Sequence, residues 1–134
     1  MTIFVIYISI NIVFISLNLW ARTEILKFLK QHLEIQSWQD LEDFSALVRP
    51  QMYLALASMP LFLLDLILFL LLIYRFGSLM LFFGLLLKLG VFILAKIGMN
   101  IEKRSRNLTC TTEELEYEYK KIAKSWTDDA LPKF

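Results

Sequence analysis

Three long apolar stretches, separated by segments in which apolar side chains recur every three or four residues, set the pattern of this 134-residue chain. A membrane-spanning helix needs about 20 mostly apolar residues. From Gln51 to Gly98 the 48 residues hold four charged side chains, Asp65, Arg75, Lys88 and Lys96. This run predicts a helical hairpin in lipid, with spans over 51–74 and 79–98 and a short outer turn over 75–78. The first stretch, Thr2 to Trp20, is rich in Ile, Val and Phe. A secretory signal has a basic start and a small-residue cleavage site. Here no charge precedes Arg22, and Asn18-Leu19-Trp20-Ala21 makes a poor cleavage site. Residues 1–21 therefore read as a permanent span.

The polar segments keep helical periodicity. Nothing breaks the pattern between Trp20 and Leu33, where Ile25, Leu26, Leu29 and Leu33 form one apolar stripe. After a break near Gln36, Ser37 suits an N-cap, and Trp38, Leu41, Phe44 and Val48 form a second stripe that ends at Pro50. Two short amphipathic helices lying at the membrane interface are expected over 22–50. A basic linker is expected over 99–110. Thr111-Thr112-Glu113-Glu114 offers a capping box, with Thr111 as cap and Glu114 at the third helical position. A helix should follow over 111–126, then an extended tail over 127–134. Leu115, Tyr119, Ile122 and Trp126 share one face of that helix, and Phe134 ends the tail. These five residues are the candidate partner-binding surface; the apolar stripes of the first loop, the lipid surface and a second protein are the coverings to weigh, in that order.

Composition supports lipid as the solvent. At 57% hydrophobic residues and a mean hydropathy of +0.58, the chain has more apolar surface than a soluble domain this small can hide. The fold class is thus an all-α integral membrane protein with three transmembrane helices, one N-terminal anchor plus a hairpin, and amphipathic cytoplasmic helices. A net charge of +1 gives no basic field for nucleic acid. The single cysteine, Cys110, cannot form an internal disulfide. His32 has no second His or Cys at ligand spacing, so neither a metal nor a cofactor is expected.

Basic residues orient the chain. Arg22, Lys27, Lys30 and Arg49 lie between the first two spans, and Lys103, Arg104 and Arg106 follow the third, against Arg75 alone in the turn. The positive-inside rule places the N-terminus outside and the C-terminus in the cytoplasm, with a bacterial inner membrane as the default. On that topology the sequon Asn107-Leu108-Thr109 faces the wrong side for glycosylation. Lys96, Lys103, Arg104 and Arg106 then meet lipid headgroups, where anionic lipid attracts each basic group by about 1 kcal/mol.

Asp65 and Lys88 are the chemically unusual positions. They lie 11 and 12 residues from Phe76 on opposite arms of the hairpin, roughly 16 to 18 Å deep at about 1.5 Å per residue. An ionised side chain at the bilayer centre costs about 2.5 to 3.5 kcal/mol on insertion scales, so a mutual ion pair is expected. A proton- or ion-coupling role for Asp65 is the alternative, opposed by the nearby ammonium. Pro60 should kink the second span just outside the pair. Gly77, Gly84 and Ala95 share the face of Lys88 and let another helix approach closely. Asn11 and Asn18, seven residues apart, share a face of the first span and are expected to bond to another helix.

One histidine and one intramembrane acid make no catalytic cluster. The sequence reads as non-enzymatic and of interaction type: an accessory, assembly or regulatory subunit of a larger membrane complex, with membrane lipids and other membrane proteins, or copies of itself, as partners. The alternative is a homo-oligomeric ion or proton channel, or transporter subunit, using Asp65 and Lys88.

Overall fold

The computed structural model describes residues 2–134, in which four helices follow the order α1 (Thr2–Gln31), α2 (Trp38–Phe76), α3 (Ser78–Ser105) and α4 (Glu113–Asp128). The first three are long and apolar enough to cross a membrane. At 1.5 Å per residue, their 30, 39 and 28 residues make rods of about 45, 58 and 42 Å, against a hydrocarbon core of about 30 Å. The surplus of α1, α2 and α3 gathers at one end of the bundle, and α4 packs there to complete a small polar-end domain.

The expected pair of short interfacial helices is corrected. The first stripe is the C-terminal part of α1, and the second is the N-terminal part of α2, which runs unbroken through Pro50 and Pro60. Each proline removes one backbone bond, but Phe44, Leu47, Val48 and Met52 flank Pro50 and bury into one core, which keeps the helix continuous across that loss. The same continuity holds at Pro60, where a membrane helix tolerates proline. Leu33 and Trp38, placed on the two stripes, are exposed.

Local chemistry sets the start of α2. Ser37 Oγ accepts from the Asp40 amide at 3.2 Å, and Asp40 Oδ2 accepts from the Ser37 and Gln36 amides at 3.0 and 2.8 Å. The α4 cap lies one residue later than expected. Thr112, not Thr111, accepts from the Leu115 amide at 3.4 Å, so Glu114 is at the second helical position and no capping box forms. Thr111 is engaged elsewhere: its amide donates to the Ile35 carbonyl at 3.1 Å and its hydroxyl to Gln36 O at 3.3 Å. These bonds extend a two-residue parallel pair, β1 (Glu34–Ile35) with β2 (Thr109–Cys110), that no periodicity announced. It staples the α1–α2 connection to the α3–α4 connection.

The main core fills the polar-end domain. Phe44 is at its centre, with ring centroids 5.6 Å from Phe28, 4.7 Å from Tyr119 and 6.1 Å from Trp126. Leu115, Tyr119 and Ile122 are buried in this core, and Trp126 and Phe134 pack against it. Of the three coverings weighed, the first is the one found: the stripes of α1 and α2 cover the apolar face of α4, so Leu115, Tyr119 and Ile122 are not a free partner-binding surface. The terminal residue also docks on the chain, with the Phe134 carbonyl accepting from Arg49 Nη2 at 2.9 Å. Tyr119 joins α4 to the end of α3, donating its hydroxyl to Ser105 O at 2.5 Å and accepting from the Leu108 amide at 3.0 Å.

Between the spans the packing is thin. A small cluster of Tyr7, Phe69, Leu72 and Met80 ties the three helices near the turn. Gly84 is the point of closest approach: an added Cβ would collide with the Phe69 ring, 2.8 Å from Cζ. Gly77 is not a packing residue as expected. It is the turn itself, at φ +66°, with open space around a Cβ, because only glycine reverses the chain there without strain. Ala95 is also not in a tight helix contact; it is exposed and lines two cavities.

Two outcomes follow from this packing. Gly84→Val should lower stability in detergent by about 1–3 kcal/mol, an overpacking penalty, whereas Gly90→Val, where nothing lies within 4 Å, should leave the melting temperature unchanged. Burial pushes the Tyr119 hydroxyl from 10.0 up to about 12. An acid whose folded value is raised stabilises fully below its unfolded value, and that share is lost as pH rises from about 10 to 12. Tyr119→Phe should cost about 1–3 kcal/mol at neutral pH through the two stranded backbone groups, and should flatten the alkaline decline in denaturation measured against pH.

Candidate intramembrane polar site

Three helices each contribute one polar side chain to a single point within the bundle. α1 supplies Asn11, α2 supplies Asp65 and α3 supplies Lys88. Asn11 Nδ2 donates to Asp65 Oδ1 at 2.7 Å. Lys88 Nζ donates to Asp65 Oδ2 and also reaches Asn11 Oδ1 at 3.5 Å. Both carboxylate oxygens are thus engaged, and Asp65 keeps only 6% of its surface exposed. The second proton of Asn11 Nδ2 goes to Tyr7 O at 2.9 Å, one turn back on its own helix. Lys88 Nζ also lies 5.4 Å from the centroid of the Tyr7 ring, within reach of a cation–π contact.

The arrangement follows from register. The Gly77 turn sets α2 and α3 antiparallel, so residues equally far from it meet. Asn11 is nine residues into α1, about 14 Å along the axis, at nearly the depth of the carboxylate. That depth was readable in the sequence, and it is the signal that would have moved Asn11 from general packing to this site. Tyr7, one turn before Asn11, had no such mark. Its ring stacks on Phe69 with centroids 6.1 Å apart, and among the described residues its buried hydroxyl has no partner.

Other candidate residues are elsewhere. Asn18 does not cross to another helix as expected; its Nδ2 donates to Phe14 O at 2.8 Å, the local bond one turn back that a polar side chain on a helix can make. Lys96, Lys103 and Arg104 are exposed. Arg106 is not a free headgroup contact: Nη2 pairs with Glu102 at 3.4 Å, and Nη1 donates to Thr127 Oγ1. It ties α3 to α4. Among the described residues no group of three metal-ligating side chains occurs; His32 stacks on Phe28 with centroids 4.5 Å apart and faces Asp40 at 3.5 Å.

A cavity of about 510 Å³ opens beside the polar site, lined by Asn11, Asp65 and Lys88 on one side and by Phe62, Val91 and Phe92 on the other. Its wall is almost wholly apolar. Fold and site together define the class: an all-α integral membrane protein of three spans, with a polar cluster inside the bundle and a small domain at one end. No protein-family model matches the chain, and no curated protein or solved structure matches it either.

Removing one member of the polar site should be costly. Lys88→Leu leaves the Asp65 carboxylate without its cation and should lower stability by about 3–5 kcal/mol. Adding Asp65→Asn should restore most of that loss, since an amide can still pair with Asn11. Thermal denaturation of both single variants and the double variant in one detergent measures this; a double-variant loss equal to the sum of the two single losses would mean that the two side chains are not coupled.

Proposed function

We propose that this is a small non-enzymatic interaction protein, an accessory, assembly or regulatory subunit of a larger membrane complex. One observation carries the reading: Asn11, Asp65 and Lys88 close on one another while the lateral apolar surface of the bundle stays open. Only 11%, 17% and 11% of the residues in the three spanning segments are buried within the chain. Large side chains such as Ile67, Leu70 and Phe82 are exposed. Lipid covers such a surface, and so do the helices of another membrane protein or a second copy. The intramembrane pair of Asp65 and Lys88 then sets the shape of the face that the partner meets.

Exposed Lys96, Lys103 and Arg104 at the domain end support a cytoplasmic domain, an outer N-terminus and anchoring on anionic lipid. A bacterial inner membrane remains the setting proposed. The 510 Å³ cavity at Asp65 and Lys88 favours a second reading, a homo-oligomeric channel or transporter subunit. Against it, the carboxylate already has both oxygens occupied, and a carrier needs one free to take and release its proton or ion.

The test is the native mass and composition of the protein purified in mild detergent from its own membrane with an N-terminal tag. A stoichiometric set of other membrane proteins is the expected result. A homogeneous self-oligomer whose ion flux in vesicles is abolished by Asp65→Asn would replace this reading with the transporter.

A further inference from the structure

A second cavity, of about 260 Å³, is located where the spans enter the polar-end domain, and all four helices line it. Arg22 from α1 is its unusual member. Its side chain belongs to a residue only 8% exposed, yet among the described residues no carboxylate lies within 4.0 Å of it and no oxygen accepts from it. The buried charged side chains are Arg22 and Asp65, and Asp65 has its cation in Lys88. Arg106, the other inward-turned arginine, has Glu102. A charge withdrawn this far from bulk water without a counterion is costly, and a site that leaves its nitrogens open only to a cavity suits an anion as the missing partner.

The surroundings are built around that side chain. Gly98 on α3 makes room for it: a Cβ there would come within 2.8 Å of Arg22 Nε and 3.1 Å of Nη2. Gln51 Nε2 donates to Ala21 O at 3.2 Å and fixes the backbone next to Arg22. Glu102 also lines the cavity, but its carboxylate is engaged by Arg106. Trp126 from α4 closes one side, and Phe14, Leu17 and Leu54 make an apolar floor toward the spans.

We infer that this cavity binds the phosphate group of a membrane phospholipid, with Arg22 as the cation that meets it and the apolar floor receiving the start of the acyl chains. Position and size argue for lipid. Arg22 directly follows the apolar run of α1, Gln51 opens that of α2 and Gly98 closes that of α3, so the cavity is at the boundary between hydrocarbon and headgroups. Its volume is below the range of about 300–1,000 Å³ typical for whole drug-sized ligands, which suits a headgroup whose chains remain in the bilayer. Arginine is the side chain whose planar fork matches phosphate oxygens two at a time. The inference concerns what the protein binds in any membrane, and it stands apart from the subunit reading above.

The full-length protein, depleted of lipid in maltoside detergent, is titrated with dioleoyl phosphatidylglycerol, with dioleoylglycerol lacking phosphate, and with inorganic phosphate. Melting temperature and native mass spectra are the readouts. Phosphatidylglycerol should raise the melting temperature and give a one-to-one adduct that dioleoylglycerol does not give. Arg22→Gln should weaken that binding by at least about tenfold, the loss of one charge-assisted pair, while Lys121→Gln on the exposed face of α4 changes it less than about twofold. Without lipid the order reverses: Arg22→Gln should melt higher than the native chain, because the unpaired charge is gone. Equal stabilisation by dioleoylglycerol, or unchanged phosphatidylglycerol binding in Arg22→Gln, overturns the inference. Full stabilisation by inorganic phosphate alone overturns the lipid as occupant. The lipid comparison on the native chain needs no variant to fold.

Discussion

Within lipid, apolar side chains gain nothing by leaving the solvent for one another, because acyl chains are as apolar as leucine. Helices there hold their register through close packing and through polar contacts that have no better partner. In this protein the contact is the Asp65 carboxylate, taken from one side by Asn11 and from the other by Lys88. The carboxylate sits on α2 and each partner on a different helix, so the three spans are fixed by one acid. The packing beside it is slight, one ring against Gly84 and a cluster near the turn. A rotation of any span would break a contact to the Asp65 carboxylate and expose a buried polar group to hydrocarbon, a cost that opposes other arrangements of so sparse a bundle.

The polar-end domain obeys the opposite rule. There water drives the apolar stripes together, and the excess length of the spanning helices becomes scaffold. Phe44 from α2 meets Phe28 from α1 and Tyr119 and Trp126 from α4, and the core closes without any partner. The parallel pair of β1 and β2 adds a backbone tie between the two connections. Tyr119 adds another, serving as donor to Ser105 and acceptor from Leu108 in the interior. The domain and the spans share the continuous helices α1, α2 and α3, so the polar contact in lipid and the aromatic core in water act on the same three rods.

Three inward cations show how differently one charge type is managed. Lys88 is met by a carboxylate from another helix, and Arg106 by a carboxylate one turn away on its own. Arg22 has neither, and it faces a cavity at the membrane boundary. The contrast separates charges that hold the fold together from one that waits for something outside the chain.

The spans, the turn and the depth of Asp65 and Lys88 were legible in the sequence, because long apolar runs and a central charge mean the same thing in any lipid bilayer. Ser37 as the cap of α2 was legible for the same reason: capping is local chemistry. The α4 cap was misplaced by one residue because Thr111 is held by Ile35 and Gln36, 75 or more residues away in the chain. What covers Leu115, Tyr119 and Ile122, which asparagine crosses to another helix, and which arginine turns inward all depend on helix rotation. Periodicity shows that a helix has a face but does not say what it meets. Only the packing of the four helices decided that Asn11 completes the polar site, that Arg106 pairs within the chain and that Arg22 is buried without a counterion.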